Sequence, residues 1–516
     1  MASTARNAFG RRGLRAVGLA VACAAGLVVA APASALEIVA AEPRWDRGDV
    51  ATGSLLRVTV SPNGDGLHDV ATVGVVGTPG AAVRLADARG AVVATGTLDG
   101  TGAATLAWTP SAGTGWAVLR ACEDGGACSP QRVHVQRRTV AVALLTPSGA
   151  APGAVVPVAV SAERPVRLWF EDLSLADPQP VAERTVAPGD VALTVPPLRA
   201  GLWALVVATA ADERAIAPLV VEAPHTGTAA APATLVVVPT LTIRAYDRGD
   251  ADRDGRGDSW YLGERADGVP IVGQVTADPR GAPWRAADRL LAGLRFLRSV
   301  GVPFDVVSDV DLPRLGAGGL DAYRVVAFVG HEEYYTLPMW RTTLGYRNRG
   351  GRLWFMQANS FYTRVGIADG RMRIVDFAHR TPARSDYMLA GAGYVGCCWS
   401  PARPVYRVAA GAPQRVPWLF AGTGLGARDV FGYALGEADA ISRRLSPRGT
   451  VVIAAARLPS GARSHVTYYE GPHGSEVLDL GTVAALEQLE SPRVPLAVKA
   501  TYRRMMLNVW RRLRRP

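Results

Sequence analysis

VVAFVGHEEYYTLPMW, Val325 to Trp340, decides how the second half of this chain is read. Five apolar residues, Val325 to Val329, end at Gly330, which is how a strand buried on both faces looks. His331, Glu332, Glu333, Tyr334 and Tyr335 follow at once. Thr336 then suits a helix N-cap, with Pro338 in the first turn. A strand, a polar and aromatic cluster and a helix in that order describe one β-α unit with its chemistry at the carboxyl end of the strand.

The same alternation extends both ways. TLVVVPTLTI, from Thr234, reads as one continuous buried strand. WRAADRLLAGLRFLRSVG reads as a helix, with Ala286, Leu290, Leu291, Leu294 and Leu297 on one face and Gly301 stopping it. PFDVVSD and GGRLWFM are further strands. RGTVVIAAARL, HVTYYEG and SEVLDLG finish the sheet or line its edge. Strands alternating with helices predict a parallel sheet covered by helices.

The first half differs. Residues 36–137 hold short alternating runs such as SLLRVTV, ATLAWTP and QRVHVQR, broken by Gly, Pro and Asp. Residues 138–224 hold a second set, including VVPVAVSA, VRLWFEDLS and GLWALVVATA. Both read as Ig-like β-sandwiches. Residues 225–233, rich in Ala and Thr, read as a linker, and 234–516 as the α/β domain.

Residues 1–35 have the basic, apolar and small-x-small order of a secretory signal peptide ending at Ala35. The expected setting is secreted or in the cell envelope, with no membrane span. The formal charge of +11 is uneven: four arginines lie in the signal segment and seven basic residues in the tail from Lys499, leaving residues 36–498 balanced. A basic groove for nucleic acid is therefore not expected. The tail has helical apolar spacing at Met506, Leu507, Val509, Trp510 and Leu513, a closing core helix whose basic face is available for envelope contact. Cys122 and Cys128 bracket a short loop that an oxidising compartment would close as a disulfide. Cys397 and Cys398 form a vicinal pair, also read as structural.

Two acidic loops have oxygen ligands at alternate positions around glycine, which suits calcium. SPNGDGLHD offers Asn63, Asp65 and Asp69; DADRDGRGD offers Asp250, Asp252, Asp254 and Asp258. The first resembles the SPNGDG opening of bacterial Ig-like domains of FlgD-like type, which implies a spacer or adhesive module.

QANSFYTR, Gln357 to Arg364, follows GGRLWFM as GHEEYYT follows Val329, so two polar-aromatic clusters stand at neighbouring strand ends. In open α/β sheets that is where ligands collect. GHEEYYTLPMW, NRGGRLWFMQANSFYTRV and HVTYYEG resemble the C-terminal domain of the N,N-dimethylformamidase large-subunit family. The resemblance implies a glutamine-amidotransferase-like, flavodoxin-like α/β fold over residues 234–516. It also implies hydrolysis of an amide C–N bond with a mononuclear iron held by two tyrosines and a glutamate. By motif position the tyrosines are Tyr334 and Tyr362, and the glutamate is Glu437, with Glu333 behind it. His331 or His465 is the candidate to move protons and Asn359 to donate to an oxyanion, with Glu333 counted among the catalytic residues. No cysteine follows LWFM where an amidotransferase keeps its nucleophile, and no GxSxG elbow surrounds Ser360, so covalent catalysis is not expected. The substrate would be a small amide or a cell-surface group. The alternative is a non-catalytic secreted binding or structural protein that keeps the α/β fold without turnover.

Overall fold

The computed structural model describes residues 36–42, 56–60, 70–110, 115–124, 126, 128–137, 140–146, 149–175, 177–210, 214–223, 232–246, 260, 268–271, 287–377, 385–397 and 403–515. Both calcium loops, the signal segment, most of the linker and Cys398 lie outside them.

The architecture is multidomain: small β-sheets come first, then a large mixed sheet with helices. Residues up to Arg137 form a three-stranded sheet (Glu37–Glu42, Ala71–Val76, Ala103–Trp108) and a five-stranded one. They enclose an apolar core that includes Val58, Val73, Leu85 and Trp108. Cys122 and Cys128 are disulfide-bonded where two strands of the larger sheet turn back on each other. Cys397 is also disulfide-bonded. Residues from Val140 to Val221 form a three-stranded and a four-stranded sheet around Val158, Leu168, Phe170 and Leu205.

The second pair of sheets is not an independent bead. Trp169, Leu202, Ala204, Val206 and Ile216, on its outer face, join the core of the large sheet beside Val236, Leu290 and Leu294. Polar contacts seal the seam. Arg298 reaches Asp172 at 3.4 Å, and Arg314 reaches the buried Glu222 at 2.7 Å. Burial first, and then the Asp311 charge, push the Glu222 carboxyl up to about 7. A carboxyl raised on folding gives stability that is complete below its unfolded value and is lost as pH rises through the folded one. We therefore expect thermal stability to decline between about pH 4.5 and pH 7 from this group. Glu222→Gln should flatten that part of the melting-temperature profile, and an unchanged slope would remove Glu222 as its cause.

The large sheet has nine strands. Phe304–Ser308, Thr234–Val238, Val325–Phe328, Arg352–Phe355 and Glu476–Asp479 run parallel, in that spatial order. Arg463–Glu470, Val451–Arg457, Val405–Val408 and Val430–Tyr433 continue it antiparallel. The all-parallel expectation thus holds for one half of the sheet. Val451–Arg457, Arg463–Glu470 and Glu476–Asp479 follow one another through short hairpin connections, which only antiparallel neighbours can use. Helix Leu337–Asn348 starts as its sequence predicts, with the Thr336 hydroxyl accepting from Met339 N at 3.3 Å. Helix Leu496–Leu513 buries Met505, Met506, Val509, Trp510 and Leu513 against the sheet, while Arg511 and Arg514 remain exposed. No helix among the described residues is long and apolar enough to cross a membrane.

One local reading is corrected. TLVVVPTLTI is a strand only as far as Val238; Thr240–Tyr246 is a helix. Pro239 has no N–H to give a ladder, and its carbonyl accepts from Ile243 N at 3.0 Å. Asp309, after the neighbouring strand, accepts from Leu241 N at 2.9 Å and so holds the helix start. This turn carries Thr242 and Tyr246 to the site.

Candidate metal centre

Gly330 ends its strand with φ +104°, a backbone turn open to glycine and strained for other residues. The chain then lays His331, Glu332 and Glu333 across the carboxyl ends of the parallel strands. Thr242 fixes that path: its hydroxyl accepts from Glu333 N at 3.0 Å and Tyr334 N at 3.1 Å. Tyr334–Tyr335 pairs parallel with Thr363–Ala368 in a separate four-stranded sheet. The hairpin Thr363–Phe377 in that sheet is not apparent in the sequence reading. Asn359 and Phe361, both at φ +57°, turn the second cluster back toward the first.

His331, Glu333 and Glu437 each present a ligand atom within 4.8 Å of the others, which makes a cluster able to hold a metal ion. His331 Nε2 lies 3.0 Å from Glu437 Oε2 and 3.6 Å from Glu333 Oε2. Asn359 donates from Nδ2 to Glu437 Oε2 at 2.7 Å, and Tyr246 donates its hydroxyl to Glu333 Oε2 at 2.7 Å. Arg289 Nη1 stands 3.4 Å from His331 Nδ1. Thr242, Tyr246 and Arg289 have no place in the motif reading. Their signals were weak: Pro239 breaking the strand, and an arginine within an apolar helix.

The electrostatics fit a cation. Burial first, and then the Glu437 charge, push Glu333 up to about 8. Burial also works to raise Glu437, but His331, Arg289 and Asn359 outweigh it and hold that carboxyl below its usual range. Two buried carboxylates facing one another lack a full positive counterweight, and a bound cation supplies one. Beneath them, Glu332 is fully buried and pushed well above its usual range, by burial and then by Asp309. Neither Glu332 carboxyl oxygen has a hydrogen-bond partner, and burial pushes the neighbouring Asp309 up to about 7 as well.

The remaining candidates are placed as follows. Tyr334 packs in a small core with Leu241, Val269 and Met372, its ring 5.0 Å from Trp260 and 6.3 Å from Tyr246. Tyr362 donates its backbone N–H to Glu333 O at 3.0 Å, and its ring lies 5.1 Å from Tyr394. The two rings thus have different neighbours. His465 stands apart from the cluster: its Nδ1 accepts from Ile441 N at 3.2 Å, and burial, then Arg463, lowers it to about 4. The loops with Asn63, Asp65 and Asp69, and with Asp250, Asp252, Asp254 and Asp258, are outside the described residues.

A mixed α/β sheet with imidazole and carboxylates at its strand ends defines a domain with a candidate metal site. The chain belongs to the family described as N,N-dimethylformamidase beta subunit-like, C-terminal, whose model matches residues 188–495. That makes it a metal-associated domain of a hydrolase family. The match begins inside the second pair of sheets, which is consistent with the core they share with the large sheet. No curated protein matches the chain by sequence. Among solved structures, a ThuA-like protein from Bacteroides uniformis is 15% identical, covers 45% of this chain and 86% of its own, at a TM-score of 0.29. Fibronectin(III)-like modules of Clostridium thermocellum CbhA are 13% identical, covering 34% and 92%, at 0.14. Likeness of that degree says nothing about activity.

Proposed function

We propose that the chain is a secreted or envelope-held, metal-dependent hydrolase of an amide C–N bond in a small or cell-surface substrate. The observation that carries this reading is the buried convergence of His331, Glu333 and Glu437 inside the span matched by the family. We read the α/β domain, residues 234–516, as glutamine-amidotransferase-like, and residues 36–137 and 138–224 as Ig-like spacers.

Glu437, Tyr334 and Tyr362 are the proposed iron ligands, with Glu333 the further carboxylate at hand. Phenolate and carboxylate are hard anionic donors, which suit a hard cation such as ferric iron. Such an ion supplies Lewis acidity toward a carbonyl oxygen and toward water. The chain's own groups do the rest. Asn359 keeps Glu437 oriented through Nδ2. Tyr246 orients Glu333, which can carry a proton near neutral pH.

The test is the metal content of the purified full chain, together with amine release from N,N-dimethylformamide and a panel of N-acyl compounds. About one iron per chain with a visible phenolate-to-iron absorption, and release of amine from at least one compound, is the expected result. A chain that takes up no transition metal would favour the binding-protein alternative. Calcium at the two acidic loops is proposed as a separate, stabilising role. Millimolar calcium should raise the melting temperature relative to chelator, because a ligand bound only by the folded state adds stability with its concentration. Equal melting temperatures would dismiss it.

A further inference from the structure

We propose that the substrate is an extended acidic polyamide, a chain of amide-linked units bearing carboxylates, held by an array of arginines beside the metal centre. This substrate class rests on the hydrolase reading above and deepens it.

The balance of charge over residues 36–498 hides a local excess. Residues 403–463 hold nine arginines and three acids. One of those acids, Glu437, belongs to the metal cluster, and another, Asp439, is buried and accepts from Asn359 N at 2.9 Å. The strand register gathers the arginines. Arg407, Ala455 and His465 lie side by side across three strands, and Arg457 stands directly opposite Arg463 one row further on. Side chains alternate along a strand, so all of these share a face. It is the outer one: Arg407, Arg457 and Arg463 are exposed, whereas Val408, Ala454, Ala456 and Val466 enter the core. Arg407 Nη1 donates to Arg428 O at 3.1 Å, which brings Arg428 alongside.

The array is costly without a ligand. Like charges directly opposite each other on a sheet repel. Among the described residues none of the four arginines has an ion pair. Arginines elsewhere in the domain are paired, as Arg295 is with Glu490 and Arg349 with Asp321, both at 2.6 Å. Arg428 has φ +71°, a backbone form that favours glycine.

The array also lies at the end of the sheet that carries the metal centre. Thr467 pairs with Asp479 at the carboxyl end of its strand, so His465 and Arg463 continue past that end. Hydrogen bonds join the two places. Asp439, which accepts from Asn359 N, donates its own N–H to Gly481 O at 3.1 Å; the hydroxyl of Ser464, next to Arg463, donates to the same oxygen at 3.0 Å.

Reach decides the kind of substrate. The metal cluster stands over the ends of Val325–Phe328 and Arg352–Phe355, and Arg463 and Arg407 lie two and four strands beyond the latter. At about 4.8 Å per strand that is roughly 10 Å and roughly 19 Å. No small amide spans that distance, but an extended chain does. Guanidinium and carboxylate match as two-pronged partners. A chain that offers an amide bond to the metal and repeated carboxylates to the arginines meets both demands, whereas a polyphosphate brings no amide. No aromatic ring is exposed on the arginine-bearing strands, so nucleic-acid bases have nothing to stack on.

The test is binding of labelled oligo-glutamate and oligo-glutamine, each of about eight residues and roughly 26 Å when extended, to the full chain. Fluorescence anisotropy reads binding, and new amine reads cleavage. Oligo-glutamate should bind, more weakly as salt is raised, and oligo-glutamine should not. The double variant Arg457→Gln/Arg463→Gln should lose about 10-fold in affinity, the loss of one charge-assisted contact. It should melt no lower than the wild type, because a repulsion is removed. Arg89→Gln, at an exposed arginine of the first pair of sheets, should bind as the wild type does. Equal binding of both oligomers, equal losses in the double and Arg89 variants, or binding of polyphosphate but not of oligo-glutamate would each overturn the proposal. If N,N-dimethylformamide is cleaved and oligo-glutamate is not bound, the hydrolase reading stands and this one fails. If oligo-glutamate binds through the arginines and no amide is cleaved, the anion-binding surface stands and the hydrolase reading fails.

Discussion

Glu437→Gln should empty the site of transition metal and lower the melting temperature of the metal-free chain at neutral pH. The two effects have one origin. Glu437 and Glu333 are carboxylates in a largely buried space, and the Glu437 charge is the second cause, after burial, of the rise in Glu333. His331, Arg289 and Asn359 hold the Glu437 carboxyl below its usual range, so its charge favours the folded state, and a neutral amide at 437 forfeits that stability while relieving Glu333 of one like charge. It also removes an anionic ligand. The loss of metal affinity should exceed the 10- to 100-fold expected of an outer-shell change, and amine release should fall with it. Atomic absorption on the purified variant, with melting curves run in chelator, checks both. A variant that keeps its metal would place the ion elsewhere, and one that melts no lower without it would show that the fold does not favour the Glu437 charge.

Tyr334→Phe and Tyr362→Phe should each remove metal binding and hydrolysis while leaving the fold in place. Each change deletes one oxygen and no apolar area. Tyr334 would keep its packing on Trp260 and Leu241, and Tyr362 its ring contact with Tyr394. The stability cost should stay near the roughly 0.5–1.5 kcal/mol of a single hydrogen bond. Iron content, the visible absorption and a thermal melt separate the outcomes. Full iron occupancy in both variants would show that the phenols only pack and that the carboxylates hold the ion without them. Loss in one alone would identify the phenol that ligates.

Much of the frame was legible in the residues. The unbroken apolar runs Val325–Val329 and Leu353–Met356 read as strands buried on both faces, being short and closely followed by polar residues and turns. Thr336 and Pro338 fixed the start of the following helix through local capping chemistry, which needs nothing beyond its own turn. The short alternating runs before Pro224 announced β-sheets for the same local reason, and the placement of chemistry after strand ends followed from the general geometry of such sheets. His331, Glu333, Asn359 and Glu437 were named from sequence, and the fold brings them together.

What tertiary structure alone decided was register, partner and direction. TLVVVPTLTI is uniformly apolar, so hydrophobicity could not show that Pro239 divides it; that depended on Asp309 arriving from another strand to hold the new helix. Nothing local told that Glu476–Asp479 would lie parallel beside Arg352–Phe355 and turn the sheet antiparallel from there on. Tyr246 and Arg289 lie 87 and 42 residues from the groups they touch. Each looks like an ordinary helix residue until the crossover connections fold it over the strand ends. Which side chains stand within hydrogen-bonding reach of His331 and Glu333 is settled there, because the order of the strands and the crossovers between them choose those neighbours.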